Sequence, residues 1–426
     1  MNNGANGQSV ASSKKTDSLQ KKQHKGQEEV ETGSNMPSMK QHVSLQRRHF
    51  LLGSAALCVT QVAACARSGG RFDEVDGLVR NAIRKGQAPG AVVAIGHDEQ
   101  IVHRFVYGKR ALVPAPEPLT WDTHFDMASL TKPTMTALAI MQLVERQKLR
   151  VDDRVSQYFP EFACNGKGDI SVRLLLTHYS GLPPDVPLND PWTGKTEGVQ
   201  RAMTSSLINP PGAKFVYSDV NYIMLGLLVE KLGGLPLDQY VRLNILDPLG
   251  MTASGYRPSS DLQPLIAPTQ YDEHGVMLRG VVHDPTARRM GGVAGHAGLF
   301  SDASDMSVYA QALLDRLKGR PSRFPLRQDT LLLMTTPQQP AGKTELRGFG
   351  WDINTHYSSP RGDVFSHRSF GHTGFTGTSL WIDPDSDSYV LILTNRVHPA
   401  GGQSVVQLRH DIATAAGKAL GLSAPV

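Results

Sequence analysis

Cysteine is nearly absent from this chain: there are three in 426 residues, and two of them, Cys58 and Cys65, lie in one short apolar stretch near the N-terminus. Cys164 is then alone in the remainder, which excludes an internal disulfide framework. Stability must come from a core, and a chain of this length can bury a large one. Apolar runs of membrane-spanning length are also missing, since the stretch after Arg48 is too short and too mild for a permanent spanning helix. No internal repeat is visible, which sets aside solenoids and propellers. Concentrated charge is lacking too. The formal net charge is only +5, and Lys and Arg gather in the N-terminal tail, so no nucleic-acid partner is expected. Hydrophobic residues at 40% and charged residues at 19% are ordinary for a globular chain.

The N-terminus reads as an address. Residues 1–46 are polar and nearly free of aromatics, too poor in apolar surface to offset their conformational entropy. Arg47-Arg48-His49-Phe50-Leu51-Leu52 and the apolar residues up to Ala64 then resemble a twin-arginine export signal. Val62-Ala63-Ala64-Cys65 resembles a lipobox, in which Cys65 would be lipidated and become the first mature residue. Cleavage after Ala66 is the alternative, because Ala64-Cys65-Ala66 also fits the small-x-small rule. The lead before the arginine pair is long, and Met36 or Met39 are alternative starts. The expected division is a polar tail (1–46), a signal (47–65), a linker (66–71) and one folded body (72–426). The product is expected outside the cytoplasm, periplasmic or membrane-anchored, touching a membrane only through Cys65.

In the body, Phe72, Val75, Leu78, Val79, Ala82 and Ile83 recur at helical spacing and predict an amphipathic helix over 72–84. Ala91–Ile95 and Ile101–Tyr107 predict a hairpin. The middle, about 129–320, reads as helices separated by Pro- and Gly-rich loops. Strand signals return at Thr378–Ile382 and Tyr389–Thr394, and a last helix is expected over about 403–420. Strands at both ends around a helical middle predict an α+β fold, in which one antiparallel sheet flanked by helices is closed by both chain ends and carries an inserted all-helical lobe.

Ser129-Leu130-Thr131-Lys132 opens a helix-like run, so serine and lysine share a face about one turn apart. A serine hydroxyl is a poor nucleophile, and a neighbouring amine can take its proton if burial or positive charge keeps that amine neutral. S-x-x-K alone is weak, since Ser12–Lys15 and Ser18–Lys21 fit it as well. Two further stations lie downstream: Tyr217-Ser218-Asp219 before an apolar run, and His372-Thr373-Gly374 before a strand-like stretch. Two histidines and an aspartate, His283, Asp284 and His296, lie in a Gly-rich stretch, but their spacing matches no standard zinc pattern. They read as a loop bordering the cleft, with His283 and Asp284 fixing its shape. No metal or other cofactor is expected.

The three stations, in this order, resemble those of the serine penicillin-recognising enzymes: class C β-lactamases, D,D-carboxypeptidases and related esterases. Leu174–Pro183, Pro211–Phe215, Asp247–Met251 and Gly371–Thr378 resemble the same superfamily, over roughly residues 70–420, and the Gly280–Phe300 stretch resembles its penicillin-binding-protein-4B-like and esterase branch. The resemblance implies an acyl-enzyme on Ser129, with Lys132 and Tyr217 moving its proton and either one as the base. It implies an oxyanion hole from the N–H groups of Ser129 and Phe375, and a substrate carboxylate bound by His372 and Thr373, with Gly374 allowing close approach. His372 stands where β-lactamases commonly carry lysine, and would be only partly charged near neutrality. Asp219 departs from Y-x-N; it could accept from Lys132 and favour its charged form, working against a free-amine base, or cap the following helix, or both. The implied substrates are peptidoglycan stem peptides ending in D-Ala-D-Ala, or small esters or amides. A class C-like β-lactamase, a non-catalytic binding module and a metal-dependent hydrolase are the competing readings. Retention of serine, lysine and tyrosine speaks against the non-catalytic module.

Overall fold

The computed structural model describes residues 70–425. The arginine pair, Cys65 and nearly all of the proposed linker lie outside the described residues. Eleven strands are present among them: β1 (Gly90–His97), β2 (Gln100–Ala111), β3 (Glu117–Pro118), β4 (Phe125–Asp126), β5 (Gly255–Tyr256), β6 (Leu299–Ser301), β7 (Leu346–Arg347), β8 (Asp352–Asn354), β9 (Phe370–Thr373), β10 (Ser379–Asp383) and β11 (Ser388–Thr394). Eight form one antiparallel sheet in the order β3-β2-β1-β11-β10-β9-β8-β7, and β4-β6-β5 form a small second sheet.

The central pairing joins the first and last long strands, with Ala91 opposite Thr394 and His97 opposite Ser388. Both chain ends therefore close one sheet, as expected. The β1–β2 turn is tighter than the sequence suggested. Asp98 and Glu99 alone form it, both at positive φ (47° and 66°), the hand that suits the twist of paired strands.

Side chains alternate across β1 and sort into two cores. Val93 and Ile95, with Val390, Ile392 and Trp381, face the helices Asp73–Arg84 and Val406–Ala419. Val92 and Ala94, with Leu391 and Leu393, face the helical lobe, which contributes Leu138, Met141, Tyr222, Leu225 and Leu313. Each large apolar side chain buried in this way is worth about 1.5–3 kcal/mol. Trp381 also donates its indole N–H to Ser369 Oγ at 2.9 Å, so its polar edge is satisfied. Among the described residues no single helix is long and apolar enough to cross a membrane.

Candidate active site

Ser129 sits in a short 3₁₀ turn just after β4. The residue before it, Ala128, is held at φ 48°, an uncommon conformation for a residue with a side chain. Buried Asp126 holds the turn, accepting from the Ala128 N–H at 2.8 Å and the His283 N–H at 2.7 Å. Burial raises the Asp126 pKa to about 6 against the pull of those two donors. The backbone is tied to the β9–β10 loop as well: Thr376 Oγ1 donates to the Asp126 carbonyl (2.8 Å) and Thr378 Oγ1 to that of Met127 (3.1 Å). The nucleophile is thus braced from the sheet before any substrate arrives.

Lys132 opens a wide, π-type run, Lys132–Ala137, that continues into the helix Leu138–Glu145. Its Nζ donates to Ser129 Oγ at 3.1 Å and to the His296 carbonyl at 3.0 Å, and lies 2.6 Å from Asp219 Oδ1. The side chain is only 1% exposed. Burial alone would favour the neutral amine, but the Asp219 carboxylate, with Tyr217, reverses that and raises the lysine pKa. The condition for a free amine beside Ser129 is therefore not met: Asp219 accepts from Lys132 and favours its charged form, as its place in the second station suggested.

Asp219 resolves the alternatives posed by its position. The cap of the helix Asp219–Gly233 is Ser218, whose hydroxyl accepts from the Asn221 N–H at 3.4 Å. Asp219 is the first helical residue, and its carboxylate serves Lys132. Tyr217 lies 5.0 Å from Lys132 Nζ, measured to the ring centre. Its ring stacks on buried His178 at 4.5 Å and meets Tyr357 edge-on. Burial raises the phenol pKa, and Lys132 offsets this only in part. His178 in turn is fixed by the Ser218 N–H, 3.1 Å from its Nδ1.

The third station lies on and just after β9, across the cleft from Ser129. His372 is buried, with Nδ1 2.8 Å from the Thr373 carbonyl. Burial first, then Arg347 and Lys132, hold its pKa well below the usual imidazole value. His372 is therefore neutral near pH 7, which corrects the expectation of a partly charged carboxylate anchor. Gly374 serves the protein's own backbone: a Cβ there would sit 2.7 Å from the Met127 carbonyl oxygen and 3.3 Å from Ala128 Cβ. Phe375 is 61% exposed, and its ring stacks on His283 at 5.4 Å and carries the Arg396 guanidinium 4.7 Å above it.

The three cleft-loop residues take separate posts. His283 braces Asp126 through its N–H, and burial lowers its imidazole pKa to about 4. Asp284 caps the helix Pro285–Arg289. Its Oδ1 also lies 2.8 Å from His296 Nε2, and His296 is fully buried. One ligand-capable atom from each of Asp219, Asp284 and His296 falls within 4.8 Å of the others, a gathering that chain spacing did not reveal.

Ser129 lies between two cavities. One, of about 410 Å³, is lined by Tyr217, His372, Thr373, Arg347, Arg396 and Arg409. The other, of about 580 Å³, is lined by Tyr217, Asp219, His283, Asp284 and Phe375. The three arginines, His178 and Asp126 were not picked out from the sequence. His178 at least lies inside the Leu174–Pro183 stretch that carried the resemblance; the arginines stand in no motif.

Residues 75–414 match the family model described as Beta-lactamase. A Salmonella typhimurium protein provisionally named as a D-alanyl-D-alanine carboxypeptidase is 33% identical over 366 residues, 77% of this chain and 83% of its own length. A class C beta-lactamase structure aligns with TM-score 0.66 at 22% identity, covering 83% of this chain and 98% of its own. EstCE1, a hydrolase with promiscuous acyltransferase activity, aligns with TM-score 0.64 at 22% identity, covering 80% and 98%. The sheet closed by both chain ends is thus the fold of these neighbours, and the chain belongs to the beta-lactamase family, serine hydrolases of β-lactamase, carboxypeptidase and esterase type.

Proposed function

We propose that this protein is an exported serine hydrolase that forms an acyl-enzyme on Ser129 and cleaves peptides ending in D-Ala-D-Ala. The observation that carries the reading is the 3.1 Å contact between Lys132 Nζ and Ser129 Oγ, with the Tyr217 ring 5.0 Å from the amine and lining the same cavities as Ser129. Ser129 Oγ attacks the scissile carbonyl while its proton passes into the Lys132–Tyr217 pair. The oxyanion forms against the peptide N–H groups of Ser129 and Phe375, donors worth about 2.7–4 kcal/mol each in such sites. The proton then goes to the departing amine, and water releases the acyl group.

Preference for a carboxylate-terminated substrate rests on the arginines. Arg347, Arg396 and Arg409 line the cavity on the His372–Thr373 side of Ser129, where neutral His372 supplies no charge. Arg347 faces Asp352 at 3.6 Å and Arg409 gives its Nη2 to the Gly374 and Thr378 carbonyls at 2.9 Å, so half-buried Arg396 is the guanidinium best placed to meet a carboxylate. A second reading, hydrolysis of small esters, is favoured by the exposed Phe375 ring and by Val405 and Val406 in the same cavity, which suit an apolar group. Export rests on Arg47-Arg48 and the apolar stretch ending at Cys65, with a lipid on Cys65 as the proposed anchor.

The test is incubation of the purified protein with a fluorophosphonate and with a labelled penicillin, followed by peptide mapping and an assay for D-Ala release from a D-Ala-D-Ala peptide. An adduct on Ser129 together with D-Ala release is expected. Turnover of p-nitrophenyl esters without D-Ala release would favour the ester reading, and an adduct on another serine would refute both.

A further inference from the structure

The resting site poses a problem that Lys132 and Tyr217 do not solve. Lys132 is clamped as an ammonium by Asp219 at 2.6 Å, and a clamped ammonium cannot accept a proton from Ser129. Something must weaken that clamp. The loop carrying His296 is brought there closely. A Cβ on Gly295 would meet the backbone of Tyr222 and Gly226, so only glycine lets the loop lie against the helix Asp219–Gly233. Two successive carbonyls of the loop then bond the run that carries the lysine: Gly295 accepts from Thr136 Oγ1 at 2.7 Å and His296 from Lys132 Nζ at 3.0 Å.

The His296 ring is fully buried between two carboxylates, Asp284 at 2.8 Å and Asp219 within the same 4.8 Å group. We propose that His296, held by Asp284, is a positioning residue for proton transfer at Ser129: its carbonyl fixes the Lys132 amine, and its ring supplies the positive charge that releases Lys132 from Asp219. The inference rests on the serine-hydrolase reading above.

The charges follow an order: Lys132, Asp219, His296, Asp284. With both carboxylates ionised, one proton is shared between lysine and imidazole. When it sits on His296, Asp219 still has a cationic partner and Lys132 is neutral, ready for the Ser129 proton. Burial opposes a charged imidazole, but Asp284 and then Asp219 outweigh it and raise the His296 pKa, while Lys132 works the other way. Asp185, half-buried and accepting from Thr286 Oγ1 at 2.8 Å, is a further acid near the ring. Without the imidazolium, a neutral Lys132 would leave Asp219 and Asp284 facing each other uncompensated.

The test measures the second-order rate of fluorophosphonate labelling at Ser129 from pH 5 to 10, with kcat and KM for p-nitrophenyl acetate, in wild type, His296→Gln, Asp219→Asn, the double variant and Asp284→Asn. His296→Gln should move the acidic limb up by about one pH unit, hence slow labelling about tenfold below it, with the change in kcat rather than KM. Asp219→Asn in the His296→Gln background should recover most of that loss, because the anion that needed release is gone. A merely structural role for His296 gives no such recovery. Asp284→Asn leaves the carbonyl contact in place and should lower the plateau rate, since the shared proton then favours Lys132; it serves if His296→Gln does not fold. A wild-type pH profile in both His296→Gln and Asp284→Asn, or a double variant as slow as His296→Gln, overturns the proposal. No labelling of Ser129 in wild type would instead overturn the serine-hydrolase reading, and this inference with it.

Discussion

His372 Nδ1 lies 2.8 Å from the carbonyl oxygen of Thr373, the next residue of the same motif. The ring is thereby committed to its own backbone as a neutral donor, and burial keeps it neutral. A stability consequence follows. The folded pKa lies below the unfolded value of about 6.5, so the unfolded chain binds the proton more readily. This residue therefore costs no stability above about pH 6.5. Below it, stability is lost by at most about 1.4 kcal/mol per pH unit, until the folded pKa is reached. His178, depressed in the same direction by burial, adds to the effect. The melting temperature should fall between pH 7.5 and 5, and fall less steeply in His372→Gln. An equal slope in the variant would show that His372 titrates freely in the fold.

The arginine-lined cavity predicts substrate discrimination. Arg396 is half-buried and, besides lying over the exposed Phe375 ring, makes long hydrogen bonds to the Gly401 and Gln403 carbonyls at 3.2 and 3.4 Å, so its removal should spare the fold. Arg396→Gln is expected to raise KM for a D-Ala-D-Ala peptide about tenfold, equivalent to about 1.4 kcal/mol, and to leave a neutral p-nitrophenyl ester nearly untouched. Equal losses for both substrates would show that Arg396 does not read the carboxylate.

Gly374→Ala tests the bracing of the nucleophile. The new methyl would meet Thr378 Oγ1 first, the hydroxyl that donates to the Met127 carbonyl, and then that carbonyl and Ala128. Displacing the turn by part of an ångström should lower kcat by about a hundredfold with little change in KM. Steady-state kinetics and a melting curve would separate this from general unfolding.

Ser129→Ala should abolish covalent labelling and lower turnover by several orders of magnitude. Lys132→Arg should not rescue activity, since a guanidinium stays protonated and cannot take the serine proton. Appreciable turnover by the arginine variant would mean that proton transfer bypasses position 132.

Much of this was legible because local chemistry dictated it. The 3.6-residue spacing of Val75, Val79 and Ala82 found the first helix, and the β-branched runs found β1, β2, β10 and β11. The three short motifs located Ser129, Lys132, Tyr217 and His372. What stayed hidden depended on partners distant in sequence. The Lys132–Asp219 pairing, between residues 87 positions apart, was open to view in the motifs, but the burial around it was not, and the charge state of His372 is set by burial and Arg347. Two-residue strands such as β7 carry no usable period, and Arg347 on it reads as an ordinary surface charge until the sheet buries it.

The seam between β1 and β11 bears on biogenesis. Thr394 Oγ1 donates to the Gly90 carbonyl across 304 residues, so the sheet cannot close until almost the whole chain exists. A fragment ending before Ser388 would leave the edge of β1 unpaired, an open template for association with other chains. Yet the two ends of the finished body nearly meet, with Arg71 Nε donating to the Ala419 carbonyl at 2.6 Å. A chain rejoined there by a short linker and reopened at the Asp98-Glu99 turn would bring β1 after β11, with the helices Val406–Ala419 and Asp73–Arg84 between them, but would part β1 from its hairpin partner β2. Such a permutant would exchange one end-to-end pairing for another, since β2 would open the chain and β1 would close it, so no faster route to the native state is expected.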